Sequence, residues 1–208
     1  MILVLKVIAV AVVGYLLGSI NSSLVVGKFY GVDVRQHGSG NAGANNTLRT
    51  LGKKAAVLVT AGDILKGVAA CIIGHYIVGT VNGLDKFGLI VGGISAIIGH
   101  NWPLYFGFRG GKGVLTTFSV ILMMDWQVGL ILLGAFIIVV VITGYVSLGS
   151  IIGASLFPIV SAVPLFNNKS TFVLFAIVVA FLVIIRHKSN IERIFKGTES
   201  KFGKKNNK

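Results

Sequence analysis

Residues 38–49 read GSGNAGANNTLR, and the first six of them fit the pattern G-x-G-x-x-G. Asp63 stands twenty residues beyond Gly43, where a dinucleotide-binding fold places the carboxylate that holds its ribose. The fold class turns on what surrounds these glycines, because a true fingerprint needs a strand before them and a soluble βαβ unit around them. Upstream lies a twenty-residue apolar run, ILVLKVIAVAVVGYLLGSIN (2–21), followed by a polar exit. Downstream a second apolar run covers 55–81 and contains Asp63. No strand precedes Gly38, so the glycines join two membrane helices and the spacing to Asp63 is a coincidence.

The composition agrees with that reading. Hydrophobic residues make up 54% of the 208-residue chain and charged residues 12%, half of the roughly 25% usual in globular proteins. Mean hydropathy is +0.88. A formal net charge of +13 would point to nucleic acid in a soluble domain. In a membrane protein it reflects cations retained on the cytoplasmic side, and no nucleic-acid partner is expected. The single cysteine, Cys71, excludes an internal disulfide and leaves a structural zinc site without its usual thiolates. Six acidic residues are too few for a magnesium site built by protein alone, so neither metal nor cofactor is expected.

A membrane span needs about 20 apolar residues, and seven runs qualify: 2–21, 55–81, 87–106, 113–124, 126–146, 148–166 and 171–185. The fourth and seventh are short, which implies local thinning or helix ends sunk below the surface. The first run is read as a retained helix rather than a signal peptide, because no Ala-x-Ala site follows it. Seven spans sort the loops onto two sides. One side carries Lys28, Arg35, Arg49, Lys53, Lys54, Arg109 and Lys112. The tail adds Arg186, Lys188, Arg193, Lys196, Lys201, Lys204, Lys205 and Lys208 to that side. The other side has only Lys86 and Lys169, while Lys6 and Lys66 lie within spans. The fifteen-cation side is therefore cytoplasmic and the amino terminus outside. A single all-α integral membrane domain, residues 1–208, with a basic cytoplasmic tail from 186 is expected.

Four elements carry chemistry. In the first loop, Gly38, Gly40 and Gly43 allow positive φ and an anion-binding nest of amides. Ser39, Asn41, Asn45 and Asn46 add neutral donors there, and Arg49 a forked cation suited to phosphate. The alternative is an ordinary polar loop. The second loop, GHNWPLYFGFRGGKG (99–113), ends in Arg109-Gly110-Gly111-Lys112-Gly113 and enters a helix directly, a natural phosphate seat. Its alternative is a basic turn meeting lipid headgroups, with Trp102 and Tyr105 as interfacial belt residues. It is not a Walker motif, since Phe106 and Gly113 occupy two of the defining positions. Within the second span, Asp63 and Lys66 share a helical face; a structural salt bridge and a transport role both fit. His75 reads as a packing histidine. At the start of the tail, RHKSNIER (186–193) places His187 and Asn190 on one face, and His187 is suited to moving protons. The rest of the tail suits anionic lipid. Ser147 in the turn SLGS is, from the residues alone, a helix cap. One cytoplasmic-facing pocket is expected to collect the loops, Ser147 and His187.

Five ordered blocks, GSGNAGANNTLRTLG, DILKG, GHNWPLYFGFRGGKG, SLGS and RHKSNIERIFKGTESK, resemble the acyl-phosphate-dependent glycerol-3-phosphate acyltransferases of bacterial membranes, over nearly the whole chain. The resemblance implies a seven-helix enzyme of the plasma membrane, its active site facing the cytoplasm. Its activity is that of an acyl-phosphate:glycerol-3-phosphate O-acyltransferase. A fatty acyl group passes from acyl phosphate to the 1-hydroxyl of sn-glycerol 3-phosphate, giving lysophosphatidic acid and phosphate, the first acylation of phospholipid synthesis. A functional link to the enzyme that makes acyl phosphate follows. By the same resemblance Ser39, Arg49, Lys112, His187 and Asn190 are the catalytic and substrate-binding residues and Ser147 is the third-motif serine, while the nest and helix-start reading of the residues adds Gly38, Gly40, Asn41, Gly43, Asn45, Gly110 and Gly111 as substrate-lining positions. Two departures stand out: Asn45 replaces the family's usual threonine, and Arg109 a frequent lysine.

The parts fit that chemistry. Two phosphate dianions about 5 Å apart repel by roughly 3 kcal/mol even in water, which glycine–cation loops can offset while holding hydroxyl against carbonyl. Acyl phosphate is already activated, so no acyl-enzyme is needed. His187 and Glu192 have His-x4-Asp spacing but diverge by about 140° on a helix, so they are not read as a dyad. The rival reading is a transporter of phosphorylated metabolites, whose expected repeat and midplane site are not visible; a lipid scaffold explains only the tail.

Overall fold

The computed structural model describes residues 1–81, 83–166 and 170–202; Lys169, Lys204, Lys205 and Lys208 lie outside them. Ten α-helices are found among these residues. They are α1 (Ile2–Ser19), α2 (Ser22–Phe29), α3 (Ala44–Leu51), α4 (Lys53–Ile77), α5 (Phe87–Asn101), α6 (Val114–Met124), α7 (Trp126–Thr143), α8 (Val146–Ser161), α9 (Ser170–Arg186) and α10 (Lys188–Phe195). All seven apolar runs are helical. The additional helices, α2, α3 and α10, are eight residues each and occupy the polar connections.

Length separates the helices into classes. Ile2–Phe29 taken together, α4, the α5 segment to Phe106, and α7 are long and apolar enough to cross a membrane. The pair α9 and α10, bent by 57°, adds a fifth crossing if taken as one. Helices α6 and α8 are shorter apolar helices. The eleven residues of α6 rise only about 16 Å at 1.5 Å per residue, against a hydrocarbon core of about 30 Å. Large apolar side chains stand exposed on these helices, Val141 and Ile142 on α7 among them, as expected of a multi-pass protein that meets lipid.

The chain forms two compact units, Met1–Met124 and a second beginning at Asp125. In the first, α5 packs against α1, α4 and α6. Small residues make the approach close enough for backbone to meet backbone, the usual way helices associate where no hydrophobic force drives them together. A Cβ on Gly18 or Gly99 would strike the facing backbone of α5 or α1, and one on Gly74, Gly88 or Gly92 would strike carbonyls across the α4–α5 seam. In the second unit α7, α8 and α9 pack in series. Phe157 of α8 meets Phe172 and Phe175 of α9 edge-on, at 5.7 and 6.0 Å, geometries that suit aromatic quadrupoles.

Local sequence sets the breaks. Asn21 caps α2 by accepting from Leu24 N–H at 3.1 Å, and Asp125 caps α7 by accepting from Val128 N–H at 3.1 Å. Gly52, at φ +87°, turns α3 into α4, a backbone state that glycine adopts at little cost.

Candidate active site

The first glycine loop has a different construction from a nest. Gly38 and Gly40 have φ of +60° and +70°, as expected. Gly43 does not: at φ −162° it is extended and stands as the N-cap of α3. The loop amides are largely spent internally. Ser39 N–H donates to Asn46 Oδ1 at 2.8 Å, Gly40 N–H to His37 O at 3.0 Å, and Gly43 N–H to Asn41 O at 3.0 Å. Asn46, expected to donate outward, is buried and donates to Val34 O at 2.7 Å and His37 O at 3.0 Å. It braces the loop from beneath. Ser39 is exposed, and Asn41, Asn45 and Arg49 are half-buried, so side chains rather than this loop's amides face outward.

The second loop folds back on the end of α5. Gly111 N–H donates to His100 O at 3.2 Å, and α6 begins at Val114, directly after Lys112-Gly113. The first amides of α6 have no partner inside the helix. Gly110 and Gly111 have no space for a side chain: a Cβ on Gly110 would strike His100 O, and one on Gly111 would strike both His100 Nε2 and Ala42 O. Gly111 therefore sits where the two glycine loops meet. Asn21 Nδ2 donates to the same Ala42 carbonyl at 3.4 Å. The Asn101 amide is fully buried with no hydrogen-bond partner among the described residues, its Oδ1 2.7 Å from where a Cβ on Gly113 would lie.

Arg35 ties the loops together from the other side. Its guanidinium forks onto the Asp33 carboxylate, Nη2 to Oδ2 at 2.8 Å and Nε to Oδ1 at 3.0 Å. Its Nη1 donates to Phe106 O at 3.1 Å and Arg109 O at 3.3 Å. The hydrogen bond from Arg35 holds the Asp33 carboxyl below its ordinary value, against a smaller opposing effect of burial.

Asp63 and Lys66 do form an ion pair, at 2.9 Å and almost fully buried. Among the described residues Asp63 Oδ1 has no aligned hydrogen-bond donor, so the contact is one of charge. The pair has a third member that sequence reasoning missed: His100 Nδ1 lies 2.8 Å from Lys66 Nζ, which also donates to Ile20 O at 3.1 Å. His100 is itself buried. His75, by contrast, is exposed and stands edge-on to Tyr76 rather than packed.

In the second unit, Ser147, His187 and Asn190 are all buried. Ser147 does not cap α8; its Oγ donates to Glu199 Oε1 at 2.7 Å. Asn190 Nδ2 donates to the same oxygen at 2.7 Å, and Arg193 Nε to Oε2 at 2.7 Å. Burial pushes the Glu199 carboxyl up, but the bonds from Ser147, Asn190 and Arg193 outweigh it and leave the group below its ordinary value. Glu199 was the other residue sequence reasoning passed over. His187 sits at the bend between α9 and α10, with Nδ1 2.7 Å from Val183 O. A carbonyl only accepts, so Nδ1 carries the proton and Nε2 is the acceptor of the neutral ring.

Comparison with known proteins adds an independent observation. The family model described as glycerol-3-phosphate acyltransferase matches residues 8–197. A glycerol-3-phosphate acyltransferase of Thermoanaerobacter sp. (strain X514) is 44% identical over 196 residues, 94% of this chain and 95% of that one. One from Clostridioides difficile (strain 630) is 45% identical over 202 residues, 95% of this chain and 96% of its own. The crystal structure of PlsY (YgiH), an integral membrane glycerol 3-phosphate acyltransferase, in its glycerol 3-phosphate form superposes with a TM-score of 0.84. It is 37% identical and covers 95% of this chain and 96% of that one.

Proposed function

The chain belongs to the glycerol-3-phosphate acyltransferase family, and from that premise we propose that it transfers a fatty acyl group from acyl phosphate to the 1-hydroxyl of sn-glycerol 3-phosphate. The products are lysophosphatidic acid and phosphate. The observation that carries this reading is the junction of the two glycine loops at Ala42 and Gly111, with Arg49, Arg109 and Lys112 as their cations. Cations fixed on two joined loops suit substrates that each bring a phosphate.

In this reading Ser39, Asn41, Asn45, Arg49 and Lys112 hold the phosphates, with Gly110 and Gly111 admitting close approach. The substrate hydroxyl oxygen attacks the acyl carbon, the bond from that carbon to the phosphate oxygen breaks, and the departing phosphate takes the hydroxyl proton. His187, with an accepting Nε2, orients or assists the hydroxyl; Asn190 and Ser147 take the roles implied by the family resemblance. The protein crosses the plasma membrane seven times, amino terminus outside, as one functional domain. Its substrate loops and basic tail face the cytoplasm and anionic lipid, and it is functionally linked to the enzyme that makes acyl phosphate.

Purified protein in detergent should release phosphate from acyl phosphate only when glycerol 3-phosphate is added. Facilitated uptake of intact substrate into liposomes without turnover would refute the enzyme reading in favour of transport.

A further inference from the structure

The buried trio Asp63, Lys66 and His100 is an expensive thing to keep inside a membrane protein. Scales for a single charge at mid-span give about 2.5–3.5 kcal/mol, and a charge buried there marks a functional arrangement more often than a packing one. Asp63 and Lys66 neutralise each other on α4, 2.9 Å apart. His100, on α5, is not needed for that balance.

Hydrogen-bond chemistry settles what His100 contributes. An ammonium has three donors and no acceptor, so at 2.8 Å from Lys66 Nζ the His100 Nδ1 must accept. A doubly protonated ring would turn its Nδ1–H toward the Lys66 ammonium, which has no lone pair to accept it. The alternative partner for an Nδ1 proton, Asp63 Oδ1, is 3.5 Å away, too far for a strong bond. The ring is therefore neutral with its proton on Nε2. That nitrogen and Ala42 O flank the same point of Gly111, while the His100 carbonyl accepts from Gly111 N–H.

We propose that His100 is a positioning residue: the Asp63–Lys66 pair fixes its tautomer, and the resulting Nε2–H holds the second glycine loop against the first at Ala42 and Gly111. The pair thus acts on the substrate loops through an imidazole rather than by touching substrate. This inference rests on the loops being the phosphate-holding elements proposed above.

Nitrogen NMR of the full-length protein in nanodiscs, with labelled histidine and each of the four histidines assigned by substitution, reads the tautomer at neutral pH. His100 is expected Nε2-protonated, and Lys66→Met should abolish that preference. Kinetics give the second readout. His100→Ala should raise KM for glycerol 3-phosphate about 5–10-fold with a smaller change in kcat, as the second glycine loop loses the imidazole beside Gly111. His100→Gln, whose amide nitrogen reaches the Nε2 position, should recover most of that loss. An Nδ1-protonated His100 in an active wild-type protein, or a His100→Gln no better than His100→Ala, overturns the inference alone. A wild-type protein that never turns over acyl phosphate overturns the acyltransferase reading, whatever the tautomer.

Discussion

Replacing Glu199 by alanine removes one acceptor from three donors at once: Ser147 Oγ, Asn190 Nδ2 and Arg193 Nε, each at 2.7 Å. The carboxylate side chain is 8% exposed, whereas Arg193 is 33% exposed, so the bonds are not equal. A hydrogen bond to a charged group contributes about 1.5–3 kcal/mol. Taking the low end for the two buried donors and about 1 kcal/mol for the more solvated Arg193 pair, the loss comes to about 4 kcal/mol. In a chain of this length each kcal/mol moves the melting point by about 2–4 °C, so Glu199→Ala should melt about 8–16 °C lower. Glu199→Gln, which keeps the shape and loses the charge, should fall between. Thermal melting in detergent, followed through the fluorescence of Trp126 in a Trp102→Phe background, measures this. The pH dependence gives a sharper check. The folded-state carboxyl titrates below its ordinary 4.5, so the stabilisation is complete above that value and disappears as pH falls through the depressed one. The gap between wild type and Glu199→Ala should be widest near neutrality and close on acidification below about pH 4.5. A shift under about 2 °C, or a gap unchanged from pH 7 to about pH 3, would refute the reasoning.

Gly92→Val should prevent assembly of the first unit, because its Cβ meets the Ala70 carbonyl, which no rotamer relieves. Gly134→Ala, which meets open space, should be neutral or stabilising by about 0.5–1 kcal/mol; size-exclusion profiles compare the two. Asp63→Asn strands the Lys66 charge and should destabilise by about 3–5 kcal/mol, while adding Lys66→Met should recover much of it in melting experiments. Arg35→Lys loses the fork onto Asp33 and the reach to Phe106 O and Arg109 O. It should raise KM for glycerol 3-phosphate about 3–10-fold with kcat nearly kept, read from initial rates.

What was legible in the sequence was what depends on local pattern. The apolar runs 113–124 and 126–146 became α6 and α7 with ends within three residues, because Gly113, Asp125 and Gly144 break the helices where hydrophobicity also breaks. The left-handed turns at Gly38 and Gly40 were legible for the same reason. The helices α2 and α3 were not, since eight residues each are too few to show a helical period in the sequence, whereas the turn of α10 was legible as the face shared by His187 and Asn190. Gly43 failed because a glycine signals permission for positive φ, not its use. The largest omissions were relational. Ser147 and Glu199 are 52 residues apart, and Lys66 and His100 are 34 apart. Their chemistry exists only once helices from distant parts of the chain are side by side, and one sequence carries no trace of such pairing.

The placement of both ions of the buried pair on α4 has a consequence for biogenesis. Leaving the translocon, this segment already carries its own counterion, so it can enter lipid without waiting for a neighbour to cancel a charge. The carbonyl of Ile20, made earlier, and the imidazole of His100, made later, then dock onto a side chain that is neutralised in advance. The ammonium is the post shared by the segments that precede and follow α4.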